Sequence, residues 1–125
     1  MNISKIFEKE PEDLLNWILD SFPVLRENIE EIHTIEDMEK ASNSLVTLTN
    51  TYSYLCTLLS YAKVNVRRAK RELSKAEHED MIDRKDILQS MVDLTKQKYA
   101  AISRAVTIKI ENNHELQMNR NFVER

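Results

Sequence analysis

The sequence predicts an all-α protein, a long antiparallel helical hairpin of coiled-coil character preceded by short N-terminal helices. Three observations carry this expectation. The 125 residues contain no glycine and only two prolines, Pro11 and Pro23. Tight β-turns and phosphate-cradling loops depend on glycine's access to positive φ, so sheet folds and glycine-rich nucleotide motifs are poor fits. Strong helix formers dominate most windows, and from residue 36 onward apolar residues recur at alternating spacings of three and four. A chain of this length suits one domain, 1–125, with a modest core.

Residues 1–35 read as short N-terminal helices. Ile3, Ile6 and Phe7 share one side of a possible first turn. Pro11 suits a first helical position, with Glu12 and Asp13 in the first turn where the helix dipole favours acids. Leu14, Leu15, Ile18, Leu19 and Phe22 follow at helical spacing, Trp17 is a packing residue, and Pro23 ends the helix. The acidic stretch Glu27 to Glu39 predicts a short helix marked by Ile29, Ile32 and Ile35, with a break near His33-Thr34.

The first long helix is expected over 36–78, roughly 65 Å at ~1.5 Å per residue. Leu45, Leu48, Tyr52, Leu55, Leu59, Ala62, Val66, Ala69, Leu73 and Ala76 form its heptad seam, which can be satisfied within one chain or between chains. The alanines leave room for close approach of a partner helix. A break is expected within Lys75 to Asp83, with Asp83 capping a second long helix over 84–117 and Asp86 three residues on. Leu88, Val92, Thr95, Tyr99, Ile102, Val106 and Ile110 form one stripe on that helix. Ile87, Met91, Leu94, Ala101, Ala105 and Ile108 form another beside it. Together they exceed what one partner helix needs, which suggests a multi-helix core or an oligomer. The run Val106 to Ile110 has strand propensity that helical context should override. Residues 118–125 read as a frayed tail.

No catalytic constellation can be nominated, and the chain reads as a non-enzyme without cofactor or metal. His33, His78 and His114 lack a Cys or His at ligand spacing, and Cys56 beside Leu55 reads as a buried inert thiol. Ser42, Ser44, Thr47, Thr49, Thr51, Ser53, Thr57 and Ser60 cluster on the first long helix, where hydroxyls usually meet backbone or water. A single cysteine fits a reducing cytosol, no apolar run approaches a membrane span, and the first ten residues do not form a signal peptide. A cytoplasmic location is the expectation.

The net charge is −3, but residues 1–40 hold eleven acids and four bases while 41–125 hold ten acids and fourteen bases. Lys63, Arg67, Arg68, Lys70, Arg71 and Lys75 are the densest basic group, opposed only by Glu72 and none on the seam. Cations on a rigid helix can track a phosphate backbone. Lys96, Lys98, Arg104 and Lys109 can extend that surface, and Tyr61 and Tyr99 can offer stacking faces, although Tyr99 fits the core better. The alternative is a salt-bridged face neutralised by the acidic N-terminal segment.

The run Lys63-Val64-Asn65-Val66-Arg67-Arg68-Ala69-Lys70-Arg71 resembles the basic motif in the long helix of UvsY, a phage recombination mediator family. Asp83-Arg84-Lys85-Asp86-Ile87-Leu88 resembles the opening of that family's next helix. The resemblance implies an oligomeric single-stranded-DNA-binding accessory factor that helps load a recombinase, with Lys63, Arg67, Arg68, Lys70 and Arg71 on the DNA. The family's aromatic-rich start to its last helix is not matched. Two other readings stay open. One is a protein-interaction module, such as a phage-encoded inhibitor or adaptor, docking a host factor through Glu27, Glu30 and Glu31. The other is a structural coiled-coil assembly protein relying on seam residues such as Leu59 and Val66.

Overall fold

The computed structural model describes residues 3–29, 31–72 and 74–123, and their side chains as far as His114 apart from Glu72. Glu30 and the seam residue Leu73 lie outside the described residues. Four α-helices follow in order: α1 (Ile3–Ile6), α2 (Pro11–Ser21), α3 (Ile35–Glu72) and α4 (Lys75–Val123), with a 3-10 turn at Pro23–Arg26 between α2 and α3. There is no strand among the described residues. The protein is an all-α helical hairpin, α3 against α4, with the N-terminal elements laid along one side.

Local chemistry explains the ends of these helices. Pro11 opens α2 with Glu12 and Asp13 in its first turn, and the Phe22 N–H closes the last turn on the Ile18 carbonyl. Pro23 cannot continue that ladder and starts the tighter 3-10 turn instead. The expected short helix in the acidic stretch is absent. Described residues between Glu27 and Thr34 run without helix, because this strap bonds to α3 and α4 rather than to itself. The break near His33-Thr34 is there, and its cap is reciprocal. The Asp37 N–H donates to the Thr34 hydroxyl at 3.0 Å, and the Asp37 carboxylate accepts from the Thr34 and His33 N–H groups at 3.2 and 3.0 Å.

The hairpin turn differs from expectation. It falls between the end of α3 at Glu72 and the start of α4 at Lys75, not within Lys75 to Asp83, and α4 begins at Lys75 rather than 84. The sequence Ser74-Lys75-Ala76-Glu77 is itself a capping-box pattern, and the Glu77 N–H donates to the Ser74 hydroxyl at 3.3 Å. Asp83 therefore sits inside α4 and caps nothing. Ala76 belongs to α4 and is exposed. At the other end α4 continues helical to Val123 rather than stopping at 117. With 49 residues against 38, α4 is the longer arm, about 74 Å to about 57 Å.

One apolar cluster joins every element. Ile6 and Phe7, Leu14 and Ile18 of α2, and Val24 and Leu25 of the 3-10 turn pack with Leu48, Leu55 and Leu58 of α3 and Leu88, Val92 and Ile102 of α4. Half of the expected seam is deeply buried within the single chain: Leu48, Leu55, Leu59, Ala62 and Ala69. The buried face of α3 is wider on one side, where Ala41, Ser44, Thr51 and Leu58 are also covered. That is the side taken by the N-terminal segment, so the wide apolar surface of the hairpin serves a third layer. Phe22 meets Trp17 edge-on at 6.3 Å between ring centroids and Tyr54 in a tilted contact at 5.6 Å, closing this layer.

Two long-range anchors fix the N-terminal layer. Arg84, almost fully buried, donates from Nε to the Lys9 carbonyl at 2.7 Å. Lys98 donates to the Glu27 carbonyl at 2.6 Å and to Asn28 Oδ1 at 3.1 Å. The segment thus runs alongside α4 from the level of residue 84 to that of residue 98. It then passes Ile32, which lines a depression with Ala105 and Ile108.

Candidate nucleic-acid interface

A helical hairpin has two grooves between its arms. Here one is filled by the N-terminal segment and the other is open. The basic residues stand at the turn end of the hairpin. Lys63, Arg67, Arg68, Lys70, Arg71 and Lys75 are all exposed, and none makes an ion pair with a described residue. Arg67, Arg68 and Arg71 surround the half-exposed Val64 on the outward side of α3, in a shallow depression of about 260 Å³. Tyr61, 49% exposed, lies one turn before Val64.

A second depression, of about 430 Å³, bridges the two arms on the open side and is lined by Lys63, Val66, Arg67, Lys85, Asp86 and Gln89. Asp86 is the one acid in that lining, and it stands 3.8 Å from Lys85. Glu77, Glu79, Asp80 and Asp83 on the first turns of α4 line neither depression.

The acidic strap is held at the far end. Glu27 is half-buried and its carboxylate accepts from the Ser44 hydroxyl at 3.0 Å. Ser44 and Lys63 are separated by about 28 Å along α3 at ~1.5 Å per residue. Strap acids cannot neutralise the basic group across that distance, which at physiological salt is several screening lengths. Glu31 pairs with His33 at 2.9 Å, both exposed, and Glu30 lies outside the described residues. Leu59 is buried in the apolar cluster, whereas Val66 is half-buried and lines the depression between the arms.

Not all the expected extensions of the basic surface are free. Lys98 is committed to the strap, and half-buried Lys109 lines a depression beside Glu31 and His33. Lys96 and Arg104 are exposed. Tyr99, expected in the core, is 43% exposed on the open groove. Arg84 resembles its basic neighbours in sequence yet is a structural anchor. The helical hydroxyls follow the ordinary pattern, with Thr47, Thr49, Thr51, Thr57 and Ser60 each donating to the carbonyl four residues back. Ser44 instead donates to the Glu27 carboxylate of the strap. Cys56 is half-buried, and no group of three His, Cys, Asp or Glu among the described residues is placed to hold a metal ion. Among the described residues no helix is long and apolar enough to cross a membrane.

Fold and surface together define a class: a three-layer helical hairpin with a basic turn end, an acidic strap at the other end and one unfilled groove. Comparison with protein-family models, curated proteins and solved structures returned no match to this chain.

Proposed function

We propose that this chain is a non-enzymatic binding protein whose basic hairpin end takes up single-stranded nucleic acid, in the manner of a recombination accessory factor of the UvsY kind. The observation that carries the reading is the set of six exposed cations without ion-pair partners among the described residues, five on the last turns of α3 and Lys75 at the start of α4. Ordinary surface charge on a helix is interleaved with acids at i±4 spacing. Residues 63–71 of α3 hold five cations and no acid, and the strap acids are held at the other end, so this stretch offers a positive surface on which counterion release can act, with Glu72, Glu77, Glu79 and Asp80 just beyond it. Self-association belongs to the same reading. It is supported by exposed Ile35, Val46, Ile108 and Ile110, all toward the strap end and away from the cations.

The test is fluorescence anisotropy of labelled single-stranded DNA across a salt series, with wild type beside a variant carrying Arg67→Ala, Arg68→Ala, Lys70→Ala and Arg71→Ala. Wild-type log-affinity should fall with log salt at a slope of about −0.7 per phosphate neutralised. The four-fold variant should lose most of that slope and bind at least about tenfold more weakly at low salt. A wild type that fails to bind at low salt would reject the reading.

The acidic-docking alternative is less well supported, since Glu27 is already engaged by Ser44 and by Lys98 through its carbonyl.

A further inference from the structure

The open groove contains a feature that the basic face does not explain. Midway along it, Leu48, Thr49 and Tyr52 of α3 and Thr95, Lys96 and Tyr99 of α4 enclose a depression of about 380 Å³. Its floor is apolar, with Leu48 and Thr95 fully buried. Its walls are two tyrosines. The Lys96 ammonium stands 5.7 Å from the Tyr52 ring centroid, so the Tyr52 face is already covered by a cation. Tyr99 is nearly half exposed, and among the described residues no ring or cation packs against its face. No acidic side chain lines the depression.

The depression lies on the same side of the hairpin as the one lined by Lys63, Arg67 and Lys85. From Tyr52 to Lys63 is about 16 Å along α3, and from Tyr52 to Arg71 about 28 Å. At the ~3.4 Å per nucleotide of a B-form strand, the longer distance is on the order of eight nucleotides. Apolar floor, exposed aromatic face, adjacent ammonium and a cation track leading away form the pattern of a single-strand platform. Bases stack on the aromatic, and phosphates meet the cations.

We propose that this depression receives an unpaired nucleobase stacked on Tyr99, with Lys96 meeting its phosphate and the strand continuing along the open groove to Lys63, Arg67 and Lys85. The proposal rests on the nucleic-acid reading above and adds to it a base-dependent term, because a basic face alone binds any polyanion. It also adds a length requirement, because a short strand cannot reach both the tyrosine and the arginines. The occupant is single-stranded nucleic acid, argued from the charge of the groove. An acid-free apolar depression next to lysines is complementary to a base attached to a phosphate.

The experiment compares two labelled strands of equal length and charge, about sixteen nucleotides, one with bases and one abasic, against the full chain at low salt. Wild type should prefer the base-bearing strand by about fivefold or more, the low end of one stacked base. Tyr99→Ala should abolish that preference while keeping the salt slope, and Tyr99→Phe should retain it. Thr49→Glu, at an exposed position on the rim, should also abolish it without touching the aromatic, which guards against an effect of Tyr99→Ala on folding. Strands of about four nucleotides should show little preference in any variant.

Salt-dependent binding with equal affinity for both strands would overturn the proposal and leave the basic-face reading standing. So would a base preference unchanged by Tyr99→Ala and Thr49→Glu. No binding of either strand would reject both. If sedimentation shows that Tyr99→Ala and Thr49→Glu weaken self-association without changing strand preference, the groove belongs to a second copy of the chain and the proposal fails.

Discussion

Asp37 does more than one job with one carboxylate. It accepts the N–H groups of His33 and Thr34, and these bonds, the His33 one foremost, hold its pKa below the ordinary aspartate range, with His33 adding a smaller charge effect. A carboxylate whose pKa is lowered by folding stabilises the folded state fully above its unfolded value, about 3.9. That contribution is lost as the pH falls through the lowered folded value. The start of α3 should therefore loosen only in acid, below about pH 4. Amide exchange or helicity at residues 34–38, followed down in pH, checks this. Asp37→Asn, which keeps an acceptor but cannot titrate, should flatten the response. The same scale shows what sequence reading misses. Arg84 and Lys98 look like any other surface cations in a charged helix. Only the partners that reach them, the Lys9 and Glu27 carbonyls, make them anchors, and main-chain acceptors leave no trace in residue identity.

Among the elements, the two long helices were legible because a core-facing helix must repeat its apolar residues every three or four positions, and these do so for most of the chain. Their junction was misplaced because two capping patterns compete within ten residues. Asp83-Arg84-Lys85-Asp86 and Ser74-Lys75-Ala76-Glu77 both offer an oxygen at the cap and an acid three residues later. At the second the Glu77 N–H meets the Ser74 hydroxyl, while the helix runs unbroken through Asp83 and holds the buried Arg84 against the Lys9 carbonyl. Ser74→Ala should cost about 1 kcal/mol, the usual loss for a hydroxyl N-cap, and denaturant unfolding reads it directly. Asp83→Ala should fall within about 0.5 kcal/mol of wild type, as an exposed mid-helix position. The acidic stretch misled for a related reason. Its isoleucines at 29, 32 and 35 have helical spacing, but three residues are too few to nucleate a helix against the bonds the strap gains from α3 and α4. As for the candidate site, the basic residues of α3 were readable from their density. The open groove was not, since it exists only once one side of the hairpin is filled and Tyr99 is left on the other.

For the molecule as a whole, the N-terminal layer is what makes the two faces different. Arg84→Ala removes the Nε donor to Lys9 and should leave that part-buried carbonyl short of a partner, costing about 1–3 kcal/mol. The loss should be local. Amides of α2 should exchange faster, while those around Leu55 and Leu88, packed between the long arms, should keep most of their protection. If protection fell equally everywhere, the layer and the hairpin would be a single cooperative unit.

The anchors of that layer also impose an order of events on the ribosome. Lys9 waits for Arg84, 75 residues later, and Glu27 for Lys98, 71 residues later. At about 5–20 residues per second of synthesis, that is an interval of roughly 4–15 seconds. During it Ile6, Leu14, Ile18 and Leu25 have been made but the arm that buries them has not. The N-terminal layer is thus translated well before the arm that shelters it. A nascent chain halted before α4 would expose its N-terminal apolar side chains to whatever chaperone stands at the exit.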